Sequence, residues 1–231
     1  GFINNASIIT PGESISSYYG YEVLGVWQEN DDFSATTDNV KPGDLKYRDV
    51  NGDGTITDVD RVILGKPLPD FTYGMTNTFS YKNISLMVYL EGSQGGSILN
   101  SMLVDTYFPI SFRRNKVAEP YLNRWTPSNP TNQYPSFVNP TSQGQRQVNS
   151  RTVETADYLR LQSARLSYNL PVKLAFFNSL NVYVVGQNLF TLTKYTGVDP
   201  AVNSIGGDVL KIDFAAYPFT RSYLMGINLA F

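Results

Sequence analysis

Side-chain character changes at every second position over long stretches of this chain. From Phe71 to Tyr81 one face reads Phe71, Tyr73, Met75, Asn77, Phe79, Tyr81, and the other reads Thr72, Gly74, Thr76, Thr78, Ser80. Successive side chains of a strand point to opposite sides, so the pattern predicts a strand with one apolar face, long enough to cross a bilayer at a tilt. Lys82-Asn83 predicts a tight turn. Ile84, Leu86, Val88 and Leu90 then share a face opposite Ser85, Met87, Tyr89 and Glu91, which completes a hairpin. A further strand is predicted over Tyr158–Leu170, with a slip of alternation at Gln162-Ser163 that marks a bulge. Pro171 ends it. Another strand begins at Leu180, with Val182 and Val184 on the same face, and runs to Phe190. The last carries Tyr223, Met225, Ile227, Leu229 and Phe231 on one face and Ser222, Gly226, Asn228 and Ala230 on the other. An earlier strand is predicted over Tyr18–Gln28.

The connections alternate between short and long. Residues 29–69 and 92–156 are long loops, the second rich in Gly, Pro, Asn and Ser, and a third runs from Lys194 to Tyr217. Long outer loops and short inner turns are the habit of outer-membrane barrels. The expected fold is all-β: about six antiparallel strands, forming part of a large transmembrane β-barrel with long extracellular loops. Spanning barrels begin at eight strands, and open strand edges in lipid leave backbone groups unpaired. Residues 1–231 are therefore expected to pair with strands outside this sequence.

Composition adds to this picture. The chain has 231 residues, of which only 16% are charged, and it carries 16 Tyr, 13 Phe and 2 Trp. Few charges with many aromatics suit a lipid-facing surface and its interfaces. The net charge of -2, without a basic cluster, gives no footing for nucleic acid. There is no Cys and no His, so thiol chemistry, disulfides and the commonest general base are excluded. No apolar run approaches the length of a spanning helix.

One motif carries a mechanism. Asp49-Val50-Asn51-Gly52-Asp53-Gly54-Thr55-Ile56-Thr57-Asp58-Val59-Asp60 fits the twelve-position calcium loop within the 29–69 connection. Side-chain oxygens come from Asp49, Asn51 and Asp53, a backbone carbonyl from Thr55, and closure from Asp60 in place of the usual Glu. Ca2+, with Mg2+ as second candidate, would stiffen the loop. The other reading of 49–60 is an Asn/Asp/Gly-rich turn that holds no ion. Other candidates carry less. Asp31-Asp32 and Asp58/Asp60 read as solvated loop charges, as do Arg113-Arg114. Glu91 and Arg160 face the lumen or sit at strand ends. Tyr18, Tyr19, Tyr21 and Trp27 read as an interfacial girdle in preference to a sugar-stacking platform.

Several segments resemble one family. Pro42-Gly43-Asp44-Leu45-Lys46-Tyr47-Arg48 leading into the 49–60 loop, Gly25-Val26-Trp27-Gln28, Arg124-Trp125-Thr126-Pro127, Asp157-Tyr158-Leu159-Arg160-Leu161, Gly186-Gln187-Asn188-Leu189-Phe190 and Tyr195-Thr196-Gly197-Val198-Asp199-Pro200 are similar to SusC/RagA-type TonB-linked outer-membrane proteins. The ending Gly226-Ile227-Asn228-Leu229-Ala230-Phe231 resembles a barrel-assembly signal. The resemblance implies a barrel of about 22 strands, with this chain as its C-terminal portion. It also implies a plug domain and a TonB-contacting segment elsewhere in the protein. The further partners it implies are a SusD-like surface lipoprotein, membrane lipid and an imported oligosaccharide or peptide. On this reading the chain is not an enzyme. Two alternatives stand beside it: a soluble calcium-dependent carbohydrate-binding β-module, and a glycan-cleaving enzyme whose carboxylate pair is not identifiable.

Overall fold

Five strands realise the period-two segments in a computed structural model that describes residues 2–3, 6–107, 115–137, 146–171, 178–202 and 209–230. They are β1 (Phe71–Tyr81), β2 (Ile84–Gln94), β3 (Tyr158–Leu170), β4 (Ser179–Thr193) and β5 (Ser222–Ala230). Each pairs antiparallel with the next, giving one up-and-down sheet. Among the described residues no helix is long and apolar enough to cross a membrane.

The register sorts the two faces. Phe79, Leu86, Leu166, Val184 and Met225 lie in one row across all five strands, and all five side chains are exposed. The adjacent row, Ser80, Ser85, Ser167, Tyr183 and Gly226, is polar or small and points the other way. A Cβ at Gly226 would lie 2.4 Å from the Tyr183 ring, so that ring needs glycine beside it. A continuous bare apolar face of this size is unstable in water and stable against lipid. The 11 residues of β1, at about 3.4 Å each and tilted by about 40°, give a band roughly 25 Å tall, the height of an outer-membrane hydrocarbon layer. Aromatics mark both ends of the band, Phe71, Tyr73, Phe190 and Tyr223 at one and Phe79, Tyr81 and Tyr168 at the other. The register shifts between Leu161 and Ser163 on both sides of β3, at the predicted bulge. The β1–β2 hairpin turns through two residues, with Lys82 at φ 51°.

The strand expected at Tyr18–Gln28 does not join this wall. It divides into Ser17–Gly20, paired with Ser7–Ile9 and Val62–Gly65, and Val23–Val26, paired with Leu45–Tyr47. Both pieces bury neighbouring side chains on opposite faces, which a lipid-facing strand cannot do. The girdle assignment falls with it. Tyr18 is 0% exposed and Trp27 is 7% exposed, so both belong to a packed interior.

The long connections are themselves structured. Residues 29–69 contain the strands Leu45–Tyr47 and Val62–Gly65. Residues 92–156 contain Ser97–Asn100, the helices α1 (Ser101–Thr106) and α2 (Ala118–Leu122), and Val153–Thr155. Together with the N-terminal strands they pack into a layer at one end of the wall. Three apolar clusters hold it, centred on Tyr18, Leu99 and Ile212, on Val26, Leu45 and Trp125, and on Ile98, Ala156 and Tyr195. Trp125 anchors its side through Nε1, which donates to Gln28 Oε1 at 2.9 Å. The turn between β3 and β4 and the terminal Phe231 lie outside the described residues.

Candidate functional site

Function in a wall of this kind concentrates where the wall meets the outer layer, on the polar face. Arg160 of β3 lies opposite Glu91 in the register, one row from the apolar face, so both face the lumen side. Arg160 Nη2 contacts Asp199 Oδ1 at 2.6 Å, with side chains only 3% and 7% exposed. Its Nε donates to Thr191 Oγ1 at 2.9 Å, and its guanidinium lies 5.1 Å from the Phe219 ring. Asp199 also accepts from the amides of Ala201 (2.9 Å) and Phe219 (3.4 Å). A desolvated ion pair with this many hydrogen bonds is costly to break by removing one partner. It fastens the β4–β5 connection across the wall.

A second set of polar contacts backs the first. Tyr195 Oη donates to Asp213 Oδ2 at 2.6 Å, and Tyr18 Oη donates to the Lys211 carbonyl at 2.8 Å. Burial pushes both hydroxyls above their ordinary value, so each stays protonated and keeps its donor. Burial also pushes the Lys211 ammonium below its usual value. Asp199, Lys211 and Asp213 carried no signal as site residues. Their partners are distant in sequence, and only the fold brings them together.

The 49–60 loop adopts the local turns its sequence encodes. Asp49 accepts from the amides of Gly52 and Gly54, each at 2.7 Å, Asn51 from Asp53 at 3.0 Å, and Asp53 from Thr55 at 2.8 Å. Gly52 and Gly54 hold φ values of 77° and 83°, which favour glycine. Thr55 meets Thr37 through their hydroxyls. Asp60 has a different position from the rest: it is 0% exposed and accepts from the amides of Val50 (2.9 Å) and Thr57 (2.7 Å). Burial alone would raise its carboxyl. The amide hydrogen bonds outweigh burial and hold it below the usual carboxylate range. Among the described residues no three acidic side chains converge closely enough to hold an ion. Asp49, Asn51, Asp53 and Thr55 therefore fit the first half of a cation site, while Asp60 is committed to the backbone.

The remaining candidates serve structure. Asp31 pairs with Lys46 at 3.3 Å, and Asp32 caps Ser34. Asp58 accepts from Tyr21 Oη at 3.0 Å. Arg113-Arg114 lie outside the described residues.

Comparison with known proteins agrees with this architecture. No protein-family profile matches the chain. It is 37% identical over 95% of its length to the TonB-dependent receptor P26 of Formosa agariphila, and 34% identical over 97% to the TonB-dependent receptor P3 of the same organism. It is 27% identical over 95% to the TonB-dependent receptor SusC of Bacteroides thetaiotaomicron. The chain spans about a quarter of these relatives, 23%, 23% and 20% of their lengths. Among solved structures, one of the RagAB peptide importer in a closed-closed state superimposes with a TM-score of 0.73 at 26% identity, covering 100% of this chain and 24% of that one. A structure of the RagAB peptide transporter gives 0.68 at 25% identity, covering 99% and 25%. A one-sided apolar wall of antiparallel strands, the likeness in sequence and the likeness in fold converge: the chain is a β-barrel portion belonging to the SusC/RagA family of TonB-dependent receptors, proteins of the outer membrane.

Proposed function

We propose that the whole protein imports a nutrient, an oligosaccharide or a peptide, across the outer membrane at the expense of TonB. This chain contributes five wall strands and the layer that frames the outer mouth. The rest of the barrel and a plug complete the pore, TonB engages a segment outside this sequence, and a SusD-like surface lipoprotein covers the mouth. The carrying observation is the single row-by-row apolar face of membrane height beneath a packed outer layer. That bare face also disfavours a soluble carbohydrate module, which would bury it in a core.

The test is uptake of labelled oligosaccharides and peptides by the native bacterium, with the gene intact, deleted, or present in cells lacking TonB. Uptake of at least one class that needs both the gene and TonB is expected. Uptake unaffected by either loss, with the protein recovered in a detergent-free fraction, would overturn the reading.

The 49–60 loop is proposed to take a structural Ca2+ or Mg2+ through Asp49, Asn51, Asp53 and the Thr55 carbonyl, with Asp60 releasing a backbone amide to join. The spacing of these oxygens supports this. The check is thermal unfolding of the whole transporter against Ca2+ concentration. A rise that Asp49→Ala abolishes is expected, and no rise would leave a turn held by its own hydrogen bonds.

A further inference from the structure

Beside the buried ion pair, the outer layer contains a second polar cavity. It holds about 520 Å3 and lies between α1, α2 and the strand Val153–Thr155. That volume falls within the usual range of ligand pockets, about 300–1,000 Å3. Tyr107 and Tyr134 form an aromatic corner, with ring centroids 6.1 Å apart and planes at 44°. Tyr134 is 8% exposed. It donates to Glu119 Oε1 at 2.8 Å and accepts from Gln133 Nε2 at 3.1 Å, so its hydroxyl is fixed in direction. Burial, then the Glu119 carboxylate, push that hydroxyl up to about 12, which keeps it a donor. Glu154 is held by the Thr196 amide (2.8 Å) and hydroxyl (2.6 Å). Arg151 is braced against the Gln133 and Asn132 carbonyls.

The arrangement is preorganised. Polar groups on the wall are held by protein partners before any ligand arrives, and this lowers the entropic cost of binding. The charges discriminate among ligand classes. Two carboxylates and one guanidinium line the cavity, a net of one negative charge, which repels anions. An ammonium group would need acceptors alone, and an anion donors alone. The lining offers both: Glu119 accepts only, Arg151 donates only, and the Gln133 amide does both. A vicinal pair of hydroxyls is the chemistry that uses donors and acceptors side by side, and the apolar face of its ring suits a tyrosine corner.

We infer that this cavity is a binding subsite for a neutral, polyhydroxylated ring, a sugar unit of an uncharged oligosaccharide. The inference rests on the import reading for its purpose, not for its test. The test measures binding to the full transporter, purified with its partners in a detergent without a sugar headgroup. The probes are malto-, cello-, xylo- and laminaritetraose, with trigalacturonate and tetra-alanine as charged and peptide controls. At least one neutral tetraose is expected to bind saturably, in preference to both controls. Glu119→Gln, at an exposed position, is expected to weaken that binding about tenfold, and Tyr107→Ala by a similar factor. Both variants should keep the heat-modifiable mobility of a folded barrel. Binding of no neutral tetraose would overturn the assignment, as would preference for either control, or binding that both variants leave unchanged. Uptake lost while binding persists would count against import and leave the subsite standing.

Discussion

Removing Asp199 should loosen the β4–β5 connection while leaving the wall intact. The Arg160–Asp199 pair is nearly dry, at 2.6 Å with 3% and 7% exposure, so solvent screening offers it little relief. In Asp199→Ala the guanidinium keeps Thr191 as a hydrogen-bond partner but loses its counter-ion. The amides of Ala201 and Phe219 lose their acceptor in the same change. Breaking a buried pair from one side costs about 3–5 kcal/mol. At about 1.4 kcal/mol per tenfold, local opening should become roughly two to four orders of magnitude more frequent. Native-state hydrogen exchange of the whole transporter reads this directly at the Ala201 and Phe219 amides, while amides inside β3 and β4 act as the internal control. Exchange should accelerate at the first pair and stay slow in the strands. A double variant, Arg160→Met with Asp199→Leu, should recover part of the loss, because no charge is then left buried. Unchanged exchange at Ala201 and Phe219 in Asp199→Ala would refute the reasoning and make the pair ornamental.

Two further outcomes follow from the same physics. Val88→Arg, on the apolar face near mid-height, should cost about 2–4 kcal/mol and deplete the heat-modifiable folded band, whereas Thr76→Arg on the opposite face of β1 should assemble normally. Equal assembly of the two would show that the faces have been assigned wrongly. Asp60→Ala leaves the Val50 and Thr57 amides without their acceptor and should cost about 1–3 kcal/mol for each, read as faster exchange of those two amides. Because its folded carboxyl lies below the ordinary value, Asp60 contributes stability above that value and loses it as pH falls through the depressed one. Melting of the protein should therefore drop on acidification below about pH 4, and drop less in Asp60→Asn.

The wall was legible because its information is local and repeated. Phe71–Tyr81 and Tyr158–Leu170 form strands with the predicted ends, since eleven and thirteen residues give the alternation room to declare itself. Even the bulge was readable, as a slip of phase. The outer layer was not. Its strands are two to four residues long, too short for a period of two to emerge from noise. Tyr18 shows what was missing: an aromatic near a glycine reads as a membrane girdle until its hydroxyl is found on a carbonyl 193 residues away. Nothing within a window of ten residues encodes that contact.

The same division runs through the candidate site. The turns of the 49–60 loop are made of hydrogen bonds that span two to five residues, so spacing alone placed Asp49, Asn51 and Asp53 correctly beside one another. Asp60 shares the spacing but not the outcome, because the amides of Val50 and Thr57 compete for its oxygens and a buried carboxylate takes the nearest fixed donors. Arg160 and Asp199 present the converse case. Each lay in a segment recognisable on its own, Asp157-Tyr158-Leu159-Arg160-Leu161 and Tyr195-Thr196-Gly197-Val198-Asp199-Pro200, and nothing in either predicted the other. Their pairing depends on β4 returning the chain alongside β3, so that Thr191 stands opposite Arg160 and the connection beyond it folds back over the wall. A charge in such a place is tolerable only with its partner present, which is why two separate motifs amount to one structural device.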